Sequence, residues 1–86
     1  MQFEGAVVKE QGITFAIVIV KRFVTESQSR ASEAIRSFSS FFPGLPIVLM
    51  SQDSRGMPTY FGRKDIANFL ASVPMQAIPW KRYSYS

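Results

Sequence analysis

The stretch ITFAIVIVKRFV, residues 13–24, decides the architecture, because its apolar side chains fall at both parities. Phe15, Ile17 and Ile19 alternate with Ala16, Val18 and Val20, and β-branched residues dominate the run, so it reads as a strand. A strand that is apolar on both sides of its pleat has both faces covered, which places it in the middle of a sheet.

Working outward, MQFEGAVVKE (1–10) puts Met1, Phe3 and Val7 on one side of an extended segment and Gln2, Glu4 and Val8 on the other, with Gly5 as a bulge position. Gln11-Gly12 then turns the chain into a β-hairpin with the central strand. On the other side, Thr25 and Gln28 fit a capping box. Ala31, Ala34, Ile35, Phe38 and Phe42 follow at helical spacing, with Arg30, Glu33, Arg36, Ser37 and Ser40 on the opposite face. Pro43-Gly44 ends that helix.

LPIVLM (45–50) is a second apolar run of strand length, QDSRG (52–56) supplies turn chemistry through Asp53 and Gly56, and MPTYFG (57–62) is the return strand. Pro58 has no N–H to give a ladder, which makes that strand an edge. Ile66, Phe69, Leu70 and Val73 then mark a second amphipathic helix, stopped by Pro74.

The expected fold is therefore α+β: a ββαββα order in one domain over residues 1–86, with a mixed four-stranded sheet and two helices in two layers. The helical passage between the second and third strands makes those two parallel. With both helices on one face, the bare apolar face of the central strand calls for a homodimer through the sheet. With helices on opposite faces, no dimer is required. Residues 75–86, MQAIPWKRYSYS, are expected to run extended over the body or to fray.

The 86 residues, 47% hydrophobic and 19% charged, have room for one globular domain. The formal charge of +4 comes from small groups such as Lys21-Arg22, Arg63-Lys64 and Lys81-Arg82 rather than from a dense basic stripe, so an anionic partner is permitted but not demanded. The absence of Cys and His removes disulfides, thiol nucleophiles, thiolate metal sites and the usual general base. FAIVIV (15–20), the longest apolar run, is too short to span a bilayer and lacks the flanks of a secretion signal. The chain is expected to be a mature, cytoplasmic protein with no membrane partner.

GLPIVLMSQDSRGMPTYFGRKDIANFL resembles the closing half of a thioredoxin-like domain, in which a Gly-X-Pro turn leads into a hairpin and a helix. The likeness covers residues 44–73 and implies a three-layer alternative, with Leu45-Pro46 where that fold keeps a cis proline. The CxxC pair of the family is missing, so thiol redox chemistry is excluded. The whole chain also resembles small uncharacterised bacterial proteins, a likeness that implies no activity, ligand or site.

Function is expected to be binding or interaction without catalysis, with no cofactor and no metal, and with a second copy or another protein as the partner. One candidate site is an anion pocket in which Gly62, Arg63, Lys64 and Arg55 surround the start of the second helix. The competing structural reading has Asp65 cap that helix and pair with the flanking cations. A second candidate is an interaction surface of Tyr60, Trp80, Lys81 and Arg82, where base stacking by the basic-aromatic tail competes with ordinary packing. Nucleic acid is thus an alternative partner. An enzyme would have to work with Tyr60, Asp53 or Asp65 and with Arg63 as electrostatic stabiliser. The serines of the first helix, including Ser27, Ser37 and Ser40, read as caps and solvated surface.

Overall fold

The computed structural model describes residues 2–10 and 12–85. Met1 and Gln11, assigned above to the first strand and its turn, lie outside the described residues, as does Ser86. The elements are β1 (Gln2–Glu10), β2 (Ile13–Ile19), α1 (Arg22–Thr25), α2 (Gln28–Phe38), β3 (Ile47–Gln52), β4 (Pro58–Phe61), α3 (Lys64–Ala71), a 3₁₀ turn (Met75–Ala77) and β5 (Lys81–Ser84). They form one mixed sheet in the order β4-β3-β2-β1-β5. Only β2 and β3 run parallel.

The sheet thus has five strands rather than four, and β2 stands at its centre as its double apolar face requires. Phe15 and Ile17 enter a cluster with Ile66 and Leu70 of α3, while Ala16 and Val18 enter another with Ala31, Ile35 and Phe38 of α2. The helices therefore cover opposite faces, giving three layers in place of two. All five apolar positions assigned to α2 and its extension lie in the second cluster, so the 3.6-residue period identified the buried face correctly. With both faces of β2 covered, no bare apolar face of that strand remains among the described residues, which is the arrangement in which no dimer through the sheet is required.

The fifth strand is the main departure from the expected order. Residues 81–84 pair antiparallel with β1, from Gln2↔Ser84 to Gly5↔Lys81. Packing holds them there: the Tyr83 ring stacks on Phe3 at 5.0 Å between centroids, and Phe42 meets Tyr83 edge-on at 5.3 Å. Gly5 is not a bulge, since pairing to β2 runs unbroken from Gly5 to Glu10, and its missing Cβ is what lets β1 lie close against β2. A Cβ at Gly5 would sit 2.7 Å from the Ile17 carbonyl oxygen.

Two helix starts also differ from expectation. The chain first makes the short α1, and α2 is capped by Ser27, whose Oγ accepts from the Arg30 N–H at 3.3 Å. Thr25 instead shares a 2.7 Å hydrogen bond with Ser51, the buried polar residue of β3. At α3 the capping position belongs to Arg63, and Asp65 lies inside the first turn. No peptide bond among the described residues is cis, so Leu45-Pro46 is trans.

Candidate functional site

The anion-pocket residues do not converge. Strand β4 runs antiparallel to β3, so the turn carrying Arg55 sits at one end of β4 and Gly62, Arg63 and Lys64 at the other. In that turn Asp53 Oδ1 accepts from the backbone N–H groups of Arg55 and Met57, both at 2.9 Å, and Gly56 takes a φ of 81°. Asp53 is thereby committed to turn geometry.

At the start of α3 the guanidinium of Arg63 donates to both carboxylate oxygens of Asp65, through Nε at 3.0 Å and Nη2 at 2.6 Å. The Arg63 hydrogen bonds hold the Asp65 carboxyl below its ordinary value, and the same contact raises Arg63. A carboxylate in the first turn supplies the negative charge that this helix end favours, so the two cations are tolerated there. Gly62 has a spatial reason to be glycine, because a Cβ would lie 3.0 Å from Val48 Cγ2 and 3.1 Å from the Ile47 carbonyl oxygen.

The interaction residues are also divided. Tyr60 is on β4 and Lys81 and Arg82 are on β5, the two outer strands, roughly 19 Å apart at a strand spacing of about 4.8 Å. Tyr60 and Trp80 face the α3 side, whereas Phe61 faces the α2 side, as expected from strand alternation. The Tyr60 hydroxyl is buried without a hydrogen-bond partner, and burial raises its pKa. Tyr83 and Tyr85 belong to the α2-side cluster rather than to an open stacking platform.

A concave site does form elsewhere, from residues distant in sequence. Because β2 and β3 are parallel, their carboxyl ends, Ile19 and Gln52, come out on the same edge of the sheet. The start of antiparallel β1 brings Glu4 beside them, and Arg82 pairs across from Glu4 on β5. Two adjoining depressions, of about 530 Å³ and about 280 Å³, share Glu4, Ile19 and Gln52. Gln2 and Arg82 extend the first, and Met50, Met75, Gln76 and Trp80 wall the second. Open α/β sheets bind ligands at this end of parallel strands.

Several walls of the cleft are fixed. Trp80 Nε1 donates to the Met75 carbonyl at 3.1 Å, which sets the indole plane. Gln52 Nε2 donates to the Gly56 carbonyl at 3.1 Å and approaches Met75 Sδ at 3.6 Å. Glu4 and Arg82 face each other at 3.9 Å, beyond hydrogen-bond length, with both side chains more than half exposed. Of these residues only Trp80 and Arg82 were candidates from the sequence. Among the described residues, no three Asp or Glu side chains gather as a metal site would need.

The site thus belongs to a small α+β protein with a mixed sheet and helices on both faces. No protein-family model, curated protein or solved structure matches the chain. No helix among the described residues is long and apolar enough to cross a membrane.

Proposed function

We propose that this chain is a non-catalytic binding protein that holds a small polar ligand in the cleft at the carboxyl ends of β2 and β3. One observation carries the reading: the two depressions meet over Glu4 and Gln52, beside a fixed indole wall. Pockets of this kind combine an apolar wall with a few convergent polar groups that orient the ligand. Glu4 and Arg82 present opposite charges too far apart to satisfy each other fully, and Gln2, Gln52 and Gln76 add amide donors and acceptors. That set suits a zwitterionic or amide-bearing compound, such as an amino acid or short peptide, with its apolar part against Trp80 and the methionines.

Support for binding over catalysis comes from geometry. Asp53 is tied to its turn by the Arg55 and Met57 N–H groups, Asp65 is held by Arg63, and the two lie at opposite ends of β4, so they do not gather with Tyr60 into one site. The anion and nucleic-acid reading has less support, because Arg55, Arg63-Lys64 and Lys81-Arg82 are dispersed over both ends and both edges of the sheet. The reading is of a cytoplasmic protein that needs no cofactor.

The test is a residue-resolved amide NMR titration with a mixture of free amino acids and dipeptides, and separately with phosphate, a nucleotide mixture and short single-stranded DNA. Shifts gathered at Glu4, Ile19, Gln52, Gln76 and the Trp80 indole with the first set support the cleft. Shifts confined to residues 62–65 with the anions, or silence throughout, overturn it. Trp80 is the only tryptophan, so its fluorescence gives an independent readout.

A further inference from the structure

The register sets the cleft residues on one rung of the sheet. Arg82 stands opposite Glu4, the β1–β2 ladder carries Glu4 to the level of Ile19, and Ile19 stands opposite Met50. Ile19 and Met50 face the α3 side, as do Ala6 and Val8, and strand alternation puts Glu4 on that face with them. Gln52 lies two residues beyond Met50 on the same face. The two depressions divide the charges between them. Arg82 lines only the outer one, of about 530 Å³, whereas Glu4 is the one charged wall of the inner one, of about 280 Å³, among the described residues.

The side-chain atoms left free in the inner depression are mostly acceptors. The Gly56 carbonyl can only accept, so the Gln52 atom beside it at 3.1 Å is the donor Nε2, whose second contact is Met75 Sδ at 3.6 Å. Both amide hydrogens are used there, which leaves the acceptor Oε1 as the free end of that side chain. The single side-chain N–H of Trp80 is spent on the Met75 carbonyl, so the indole offers a π-system, which attracts cations, and no donor. Glu4 accepts no hydrogen bond from any described residue, because Arg82 approaches only to 3.9 Å. The thioethers of Met50 and Met75 are weak acceptors. Gln76, exposed and free to turn either end of its amide inward, is the one side chain of this depression that can donate.

We infer that the inner depression is a subsite for a primary ammonium group, so that the cleft selects ligands carrying a free amino group. The inference rests on the reading of the cleft as a ligand site and narrows it, since N-acylated compounds and neutral amides then bind poorly. An ammonium group brings a positive charge and three N–H donors. The Glu4 carboxylate and Gln52 Oε1 accept two of them, and the Trp80 ring and the thioethers enclose the rest of the charge. A quaternary ammonium keeps the ring contact but has no N–H to give Glu4 and Gln52, so this acceptor set favours the primary amine. A carboxylate placed in the inner depression meets acceptors and a like charge, with Gln76 alone to answer it, and so belongs at Arg82 instead. The ligand therefore lies along the rung, with its amino group inward, its carboxylate toward the β5 edge where it has one, and its apolar part against Ile19 and Met50.

The experiment compares leucine, leucinamide, N-acetylleucine and N-acetylleucinamide on the full chain; these probes carry both charges, the ammonium alone, the carboxylate alone and neither. Binding is read from Trp80 fluorescence and from amide NMR shifts at Glu4, Ile19 and Gln52. Leucine and leucinamide are expected to bind with Kd at least about tenfold below their N-acetyl counterparts, the factor that loss of one hydrogen bond to a charged group gives. Glu4→Gln, at an exposed position, should raise the Kd of leucinamide about tenfold. On the parent protein, leucinamide binding should also weaken as pH rises through about 8, where an α-amino group loses its proton. Equal Kd values for free and acetylated probes at the cleft, or leucinamide binding indifferent to that pH range or to Glu4→Gln, overturn the inference and leave the cleft standing as a ligand site. Silence at the cleft with all four probes overturns the inference as well, and silence there with the mixture of amino acids and dipeptides overturns the reading beneath it.

Discussion

Replacing Tyr60 by Phe is expected to stabilise this protein. The ring stays in the α3-side cluster, and only the hydroxyl, buried without a partner, is removed. Burying a hydroxyl without a compensating hydrogen bond costs about 1–3 kcal/mol in protein mutational data. Tyr60 as a residue is only half-buried, so the lower end applies and the expected gain is about 1 kcal/mol. For a domain of this size that raises Tm by about 4–8 °C. A pH signature accompanies it. Burial raises the folded-state pKa of Tyr60 above its ordinary 10.0, so its contribution is fully present below that value and declines as pH rises toward the folded pKa. The gap between Tyr60→Phe and the parent should therefore widen above about pH 10. Thermal melts at fixed protein concentration, at neutral and alkaline pH, measure both effects. A less stable Tyr60→Phe at neutral pH would show that the hydroxyl makes a bond worth more than its desolvation, and would refute the reasoning.

Gly5→Ala should lower stability by about 1–3 kcal/mol, because the new Cβ meets a backbone carbonyl of the central strand that has no room to retreat; denaturant titration measures it. Ser51→Ala removes the bond to Thr25 and should cost about 1 kcal/mol, while Thr25 keeps its bond to the Arg22 carbonyl. Asp65→Asn should lower Tm modestly at neutral pH. The Asp65 carboxyl is held below its ordinary 3.8, so its stabilising effect is present above that value and is lost as pH falls through the lower folded value. Melts taken from about pH 7 to about pH 2 should show the difference shrinking toward zero in acid.

Local patterns identified the pieces of this fold and which way each one faces. Ala31, Ala34, Ile35, Phe38 and Phe42 announce one buried stripe, and Ile66, Phe69, Leu70 and Val73 another, because a helix repeats every 3.6 residues whatever surrounds it. The double apolar parity of residues 15–20 marked the central strand, and Pro58 marked an edge, since proline has no donor to give an inner ladder. The turn at Asp53 and Gly56 was legible for the same reason: its hydrogen bonds close within five residues.

What local pattern could not show is which faces and ends meet. KRYS has no strand-like apolar alternation, and it becomes β5 only because Phe3 and Phe42 offer Tyr83 a place to pack. The layering followed from the two helices taking opposite faces of the sheet, a choice made by the crossover and not by either helix's own pattern. The cleft at the carboxyl ends of β2 and β3 is the clearest case. Its one early signal was that a parallel pair must end somewhere, which points to Ile19 and Gln52. Glu4 joins them only because β1 runs antiparallel beside β2, and Met75 and Trp80 only because the chain leaving α3 crosses to the far edge. Periodicity along the chain thus determined burial, which is a property of each element by itself. Tertiary structure decided the sites, because a cleft is made by strand ends that the sequence keeps far apart.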